Sequence, residues 1–194
     1  MADYDERTAL IVVDVQNDFA DPAGSLYVAG GEDVVTAVNR EIERAASTGA
    51  ATVYTQDWHP AHTPHFEPDG GIWPVHCVEG SWGASFHPAL VVAGEVVRKG
   101  SDGADGYSGF TVRDPDGGDE SSTRLEALLR DLGVERIVVV GLATDYCVKE
   151  TALDAVRKGF DTALLTGASA GVELEPGDTE RALDELRAAG VTVA

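Results

Sequence analysis

The sequence predicts an α/β fold, namely a three-layer α/β/α sandwich with a central, mostly parallel sheet of six strands. Short, continuously apolar runs alternate with segments whose apolar residues recur at helical spacing. Apolar runs of this kind are typical of strands buried on both faces of a parallel sheet. Strands separated by helices indicate βαβ units with right-handed crossovers. With 194 residues, the chain is long enough for one such domain, spanning 1–194.

The predicted strands and helices follow one another along the chain. The apolar runs that predict strands lie at 9–13, 51–55, 95–98, 136–140, 161–165 and 191–193. The segments that predict helices lie at 33–47, 123–132, 147–158 and 179–188. In the first helix Val34, Val38 and Ile42 form one apolar stripe, and Gly49 follows its end. The polar stretch 114–122 (DPDGGDESS) predicts a flexible surface loop.

Residues 58–88 differ from the rest of the chain. The stretch is rich in proline and glycine and contains all three tryptophans and all five histidines. Proline at this density excludes one regular helix or strand throughout. Because a long irregular segment inside a domain is usually functional, we expect this loop to contribute to a site.

The charge of the chain excludes several kinds of partner. The formal net charge is −20, from 34 acidic and 14 basic residues, so neither nucleic acid nor a membrane surface is an expected partner. No apolar run approaches the roughly 20 residues that a membrane helix needs. The acidic start of the chain lacks the basic and apolar segments of a signal peptide, so we expect a cytoplasmic protein. The sequence leaves open whether the protein is a homo-oligomer.

Cys147 is a candidate nucleophile. The chain has two cysteines, Cys77 and Cys147, and a disulfide is not expected in the cytoplasm. A free cysteine is by default a small core residue, which is our interpretation of Cys77. Cys147 lies where a predicted strand gives way to a predicted helix, and there the helix dipole favours a thiolate and backbone N–H groups can stabilise an oxyanion. Thr144 and Asp145 are suitable capping residues for that helix.

Asp14 and Lys99 are candidate partners of this thiol. Each lies at the end of a predicted strand, and the carboxyl ends of parallel strands meet at one edge of a sheet. Asp14 could accept the proton of Cys147, and Lys99 could neutralise a carboxylate that would be costly to bury alone. The alternative interpretation is a structural ion pair without a catalytic role.

Four residues within a span of 20 have side chains that bind metals: Asp57, His59, His65 and His76. Neutral imidazoles with one carboxylate suit zinc, iron(II) or manganese. The alternative interpretation is a scatter of loop histidines, since His62 and His87 occur in the same stretch.

Three aromatic residues lie near these segments: Phe19, Trp73 and Tyr107. Aromatic side chains fill cores more often than they bind ligands. A flat aromatic substrate would nevertheless need such walls.

Motifs over nearly the whole chain support a more specific interpretation. They are ALIVVDVQNDF at 9–19, GSL at 24–26, DWHP at 57–60, HF at 65–66, WPVHCVEGSWGASFHP at 73–88, KG at 99–100, YSGF at 107–110, GLATDYCV at 141–148 and TALDA at 151–155. In this order they resemble the nicotinamidase/pyrazinamidase family of the isochorismatase-like cysteine hydrolases. The segments DVQNDF and GLATDYCV are typical of that superfamily, whereas DWHP and WPVHC are typical of the nicotinamidase branch.

The resemblance implies an amidase with a catalytic triad of Asp14, Lys99 and Cys147. It implies hydrolysis of nicotinamide to nicotinic acid and ammonia through a thioester on Cys147, and we also expect pyrazinamide to be a substrate. A cis peptide bond between Leu142 and Ala143 would direct the N–H groups of Ala143 and Cys147 to the oxyanion.

The resemblance also implies one divalent metal ion, for which zinc is the first choice and iron or manganese are alternatives. Its ligands would be Asp57, His59 and His76, with His65 in addition. The chain departs from the family pattern near His65, because many members have a histidine where Thr63 stands. The ring of the substrate would bind to the metal, among the three aromatic residues named above.

Three other functions compete with this interpretation. A metal-independent cysteine amidase acting on another small amide would not need the histidines. A hydrolase that cleaves a vinyl ether would lack the nucleophile, so Cys147 argues against it. A non-catalytic binding protein would have lost part of the triad.

Overall fold

The computed structural model describes residues 3–114 and 118–194. Its strands are β1 (Thr8–Val13), β2 (Ala51–Asp57), β3 (Glu95–Lys99), β4 (Thr111–Arg113), β5 (Glu120–Ser122), β6 (Arg136–Leu142), β7 (Asp161–Ala170) and β8 (Thr192–Val193). Its α-helices are α1 (Asn17–Ala20), α2 (Gly31–Ser47), α3 (Leu125–Asp131), α4 (Lys149–Arg157) and α5 (Asp178–Ala188). A π-helical turn at Thr144–Val148 precedes α4, and 3₁₀ turns occur at Glu67–Asp69 and Ser101–Gly103.

Six strands form one parallel sheet in the order β3-β2-β1-β6-β7-β8. The chain builds outward from β1 to β3, and then returns to the other side of β1 with β6. Strand order therefore reverses between β1 and β6. In open α/β sheets a crevice forms at such a reversal, outside the carboxyl ends of the strands.

Helices cover both faces of the sheet, as a three-layer sandwich requires. On one face α2 packs Val34, Val38 and Ile42 against strand residues such as Leu10 and Val12. The other face is covered by α3, α4 and α5, which pack against the alternate residues of the strands. All six residues of β1 are buried, because the strand lies in the middle of the sheet with apolar residues on both sides.

The six predicted strands and four predicted long helices are all present, with shifted ends. The predicted helix at 147–158 begins later, because the π-helical turn occupies its first residues. The prediction of a loop over 114–122 is wrong in part, since Glu120–Ser122 pairs in antiparallel fashion with Thr111–Arg113. Residues 115–117 of that stretch lie outside the described residues. Of the helices that the structure describes, none is both long and apolar enough to span a membrane.

The loop at 58–88 is folded on itself by two short backbone pairings and is tied to the residues after β1 by Gln16. His59 pairs with Val78, and Phe66 pairs with Trp73. The side chain of Gln16 donates a hydrogen bond to the carbonyl of Ala84 at 2.9 Å. These contacts bring the histidines of the loop to the crevice between β1 and β6.

Candidate active site

Four of the predicted residues meet at the carboxyl edge of the sheet. Asp14 directly follows β1, in a left-handed conformation with φ of 48°. Asp57 and Lys99 are the last residues of β2 and β3, and Cys147 lies in the π-helical turn after β6. The structure therefore brings together side chains that are up to 133 positions apart in the sequence, from 14 to 147.

Lys99 is the centre of this group. Its Nζ lies 3.0 Å from Oδ2 of Asp14 and 3.0 Å from Oδ1 of Asp57. The same ammonium lies 3.6 Å from Sγ of Cys147. All four residues are buried, so the two carboxylates depend on Lys99 for their neutralisation.

Burial shapes the protonation of the Asp14 and Cys147 pair. It raises the pKa of the Asp14 carboxyl, against the opposing effects of Lys99 and of a 2.6 Å hydrogen bond from the Thr55 hydroxyl. Burial also raises the pKa of the Cys147 thiol well above its usual range, with Lys99 opposing and Asp14 adding to the shift. Burial therefore acts against the thiolate that a position at the start of a helix would favour. A thiol beside a carboxylate of raised pKa is instead arranged for proton transfer.

The charges of Asp57 and Lys99 are stabilised by each other. Burial acts to raise the pKa of Asp57, yet Lys99 and His59 together hold it well below its usual range. Burial likewise acts to lower the pKa of Lys99, but Asp14 and Asp57 raise it well above its usual range. At neutral pH this part of the site consists of an ammonium group and an ionised Asp57.

The turn that contains Cys147 is built differently from the predicted helix start. Thr144 and Asp145 make no side-chain cap, so the capping prediction is wrong. Asp145 instead accepts hydrogen bonds from the backbone N–H groups of Val172 and Glu173, at 2.9 and 2.8 Å. Through these two bonds, Asp145 connects the turn to the segment that follows β7.

Ala143 lies next to Cys147 on the wall of the same cavity. The Leu142–Ala143 peptide bond is cis, as the resemblance implies. Assignment of the N–H groups of Ala143 and Cys147 to an oxyanion remains a prediction.

His59, His65 and His76 form a buried cluster, with one ligand-type atom of each lying within 4.8 Å of the others. Asp57 belongs to the same group, since its Oδ2 lies 3.0 Å from Nε2 of His59 and 3.5 Å from Nε2 of His76. Two atoms that share a metal ion at about 2.1 Å are separated by roughly 3.0–3.5 Å. The donor set and its spacing therefore fit a divalent ion.

The hydrogen bonds around the imidazoles support this fit. Nδ1 of His76 lies 2.7 Å from the carbonyl oxygen of Pro74, and Nδ1 of His65 lies 2.8 Å from Oδ1 of Asp105. Each bond holds the proton on Nδ1 and leaves Nε2 free as a ligand. By contrast, His62 is 86% exposed and pairs with Asp69 on the surface.

The predicted aromatic residues line the cavity above the thiol and the histidine cluster. Phe19 contacts the ring of His76, and the indole N–H of Trp73 donates a 3.0 Å hydrogen bond to the Tyr107 hydroxyl. Tyr146, which the sequence reasoning missed, contacts both Trp73 and Tyr107 edge-on, with ring centroids at 5.0 and 5.3 Å. Its position directly before Cys147 is the feature of the sequence that could have identified Tyr146 as a residue of the site.

Gln16 is a second residue that sequence reasoning missed. Its side-chain amide donates to the Asp57 carbonyl at 2.7 Å and accepts from the Asp57 N–H at 2.8 Å. This pair of bonds imitates strand pairing beyond the end of β1, and so fixes the backbone of Asp57. The glutamine of the segment DVQNDF thus has a structural reason for standing two residues after Asp14.

The chain matches the isochorismatase domain family over residues 8–194. The chain belongs to the isochorismatase family.

Relatives of this isochorismatase-family protein include a nicotinamidase/pyrazinamidase of Mycobacterium tuberculosis, which is 44% identical, with 94% of this chain and 96% of the relative covered. The structure of a pyrazinamidase of Pyrococcus horikoshii in complex with zinc is 40% identical, with a TM-score of 0.86 and coverage of 97% of this chain and 98% of that one. PnC1 from L. infantum in complex with nicotinate is 38% identical, with a TM-score of 0.88 and coverage of 100% and 95%.

Proposed function

We propose that this protein is an amidohydrolase that converts nicotinamide to nicotinic acid and ammonia, with Cys147 as its nucleophile. The observation that supports the proposal most directly is the buried contact of Cys147 with Lys99, beside Asp14 and below the aromatic walls of the cavity. Similarity to nicotinamidases and to a nicotinate complex identifies the substrate class.

Asp14 begins the reaction as a general base. It takes the proton of the Cys147 thiol, and Sγ forms a bond to the carboxamide carbon of the substrate. The carbonyl oxygen then becomes an oxyanion, for which we propose the N–H groups of Ala143 and Cys147 as donors. Lys99 stays charged throughout, so the proton moves between Asp14 and Cys147 beside a fixed positive charge.

Ammonia leaves when Asp14 returns the proton. The substrate nitrogen accepts it, the carbon–nitrogen bond breaks, and a thioester to Cys147 remains. Asp14 then deprotonates a water molecule that attacks this thioester, and the proton returns to Sγ as nicotinic acid is released. Two easier steps replace the direct hydrolysis of an amide.

Asp57, His59, His65 and His76 would hold a divalent ion, which would supply a Lewis acid for the nitrogen of the pyridine ring. We propose zinc, because nitrogen and carboxylate donors suit it and a similar pyrazinamidase has been solved with zinc. Phe19, Trp73 and Tyr107 are proposed to enclose the ring. Pyrazinamide has a ring of the same shape, so we propose it as a second substrate.

The deciding measurement is ammonia release from nicotinamide by purified protein, with metal content determined on the same sample. Cys147→Ala should lower turnover by about 10⁴-fold or more, because the nucleophile is lost. Cys77→Ala is the matched control and should keep turnover within a few-fold, since the Cys77 side chain packs in the core. Near-normal turnover by Cys147→Ala would overturn the assignment of the nucleophile.

Removal and return of the metal tests whether ammonia release depends on a divalent ion. Dialysis against a chelator should abolish ammonia release, and added zinc should restore it. Full turnover by metal-free protein would instead support a metal-independent amidase. That alternative is not favoured, because the buried histidine cluster would then have no role.

A further inference from the structure

Asp105 contacts a proposed metal ligand from outside the ligand set. Its Oδ1 lies 2.8 Å from Nδ1 of His65, whose side chain is buried while that of Asp105 is 42% exposed. Because Nδ1 is engaged by the carboxylate, only Nε2 of His65 is left to face the other two histidines.

Asp105 is itself held firmly in place. The same Oδ1 accepts a 2.7 Å hydrogen bond from the N–H of Gly106. Its backbone N–H donates to the carbonyl of Arg113 at 2.7 Å, and the N–H of Arg113 donates back to the Asp105 carbonyl. Asp105 is thus fixed to β4 on one side and directed at His65 on the other.

Among the three histidines, His65 obtains its ring hydrogen bond from the most distant part of the chain. His59 follows β2 by two residues, and its backbone pairs with Val78. The ring of His76 is held by the carbonyl of Pro74, two residues away in the sequence. The ring of His65 instead obtains its hydrogen bond from a residue 40 positions further along the chain.

We propose that Asp105 is a positioning residue that fixes the ring of His65 and thereby sets the metal affinity of the site. The inference rests on the proposed metal centre and extends it to a residue that binds neither metal nor substrate. Loss of a hydrogen-bond partner of a metal-bound histidine typically costs about 10–100-fold in metal affinity. The zinc affinity should depend on the acceptor oxygen of Asp105 more than on its negative charge, because the carboxyl group is partly exposed to solvent and its charge is screened.

The test compares zinc affinity in three variants of the full chain. Metal-free protein is titrated with Zn²⁺ in competition with a chromophoric chelator. Asp105→Ala should weaken zinc binding by about 10–100-fold, whereas Asp105→Asn keeps an acceptor oxygen and should stay within a few-fold of the wild type. Asp69→Asn is the matched control, since it removes a carboxylate charge from the pair with His62 in the same loop, while its amide oxygen can still accept the hydrogen bond from the Thr63 N–H. It should leave zinc affinity unchanged.

Two further readouts separate positioning from a general loss of structure. Thermal unfolding of the metal-free variants should give similar midpoints. The visible spectrum of the Co²⁺-loaded protein should change in Asp105→Ala and remain close to the wild type in Asp105→Asn.

The outcomes distinguish this inference from the proposal on which it rests. Wild-type zinc affinity in Asp105→Ala, or equal losses in Asp105→Ala and Asp69→Asn, would overturn the role of Asp105 and leave the metal centre intact. Wild-type protein that binds no zinc would overturn both. Turnover of nicotinamide by the wild type and by Cys147→Ala is measured separately, so failure of the role of Asp105 can be told apart from failure of the proposed nucleophile.

Discussion

The ammonium group of Lys99 lies between two buried carboxylates and the thiol of Cys147. A buried charge is tolerated only where partners neutralise it, and removal of one partner typically costs more than the pair contributes. Lys99 is the residue on which both carboxylates depend. Its loss should therefore affect folding as well as catalysis.

Lys99→Met should lower the free energy of unfolding by about 3–5 kcal/mol, because Asp14 and Asp57 would keep their burial and lose their common counter-charge. The matched control is Lys149→Met, which removes a lysine that pairs near the surface with Glu150 and Glu185. Lys149→Met should lower the free energy of unfolding by less than about 1 kcal/mol. Urea denaturation of the metal-free proteins measures both values. Equal midpoints for the two variants would show that the buried cluster does not depend on Lys99.

At the level of residues, the sequence predicted which side chains would gather but not how each is held. Asp14, Asp57 and Lys99 were predictable because polar residues directly follow apolar runs. Asp105 and Gln16 were not, because they act through hydrogen bonds to residues about 40 positions away. Such contacts leave no periodic pattern in the sequence.

The turn that follows β3 shows how tightly one element approaches the histidine cluster. Gly100 has a positive φ of 83°, and a Cβ added there would lie 2.8 Å from two atoms of the His59 ring. Gly103, in the same turn, has a φ of 79° and nothing within 4 Å of its added Cβ. The two glycines share a backbone conformation and differ in what surrounds them.

Gly100→Ala should therefore weaken zinc binding, since the new methyl group displaces His59, while Gly103→Ala should not. Both variants should lose about 1 kcal/mol of stability from the positive φ alone. Zinc titration and thermal unfolding of the two proteins provide the comparison. If both variants bind zinc as the wild type does, the turn is not in close contact with the ligand set in solution.

At the level of elements, the apolar runs identified the strands of the main sheet, because their side chains are buried on both faces. The hairpin of β4 and β5 could not be identified this way. Each of its strands has three residues, and their pairing comes from chain geometry rather than from an alternating pattern. The π-helical turn around Cys147 was missed for a related reason, since the N–H groups of Tyr146 and Val148 donate to the carbonyl of Ala143, the residue directly after β6.

The molecule as a whole has an excess of negative charge. With 34 acidic and 14 basic residues, repulsion between surface carboxylates opposes folding, and salt screens it. The thermal midpoint should therefore rise as KCl is increased from about 10 to 500 mM, where the Debye length falls well below 10 Å. A midpoint that falls with salt would mean that the surface ion pairs, such as Arg136 with Asp161, outweigh the repulsion.

The reversal of strand order between β1 and β6 determines when the enzyme can first work. Asp14, Asp57 and Lys99 are all synthesised before residue 100, but the nucleophile arrives only with the strand that docks on the far side of β1. Contacts between such distant segments form late and slowly in folding. Partly folded chains would thus hold the charged groups without the thiol beside them. Ammonia release should consequently report completion of the sheet, and its recovery during refolding should follow the slowest structural phase.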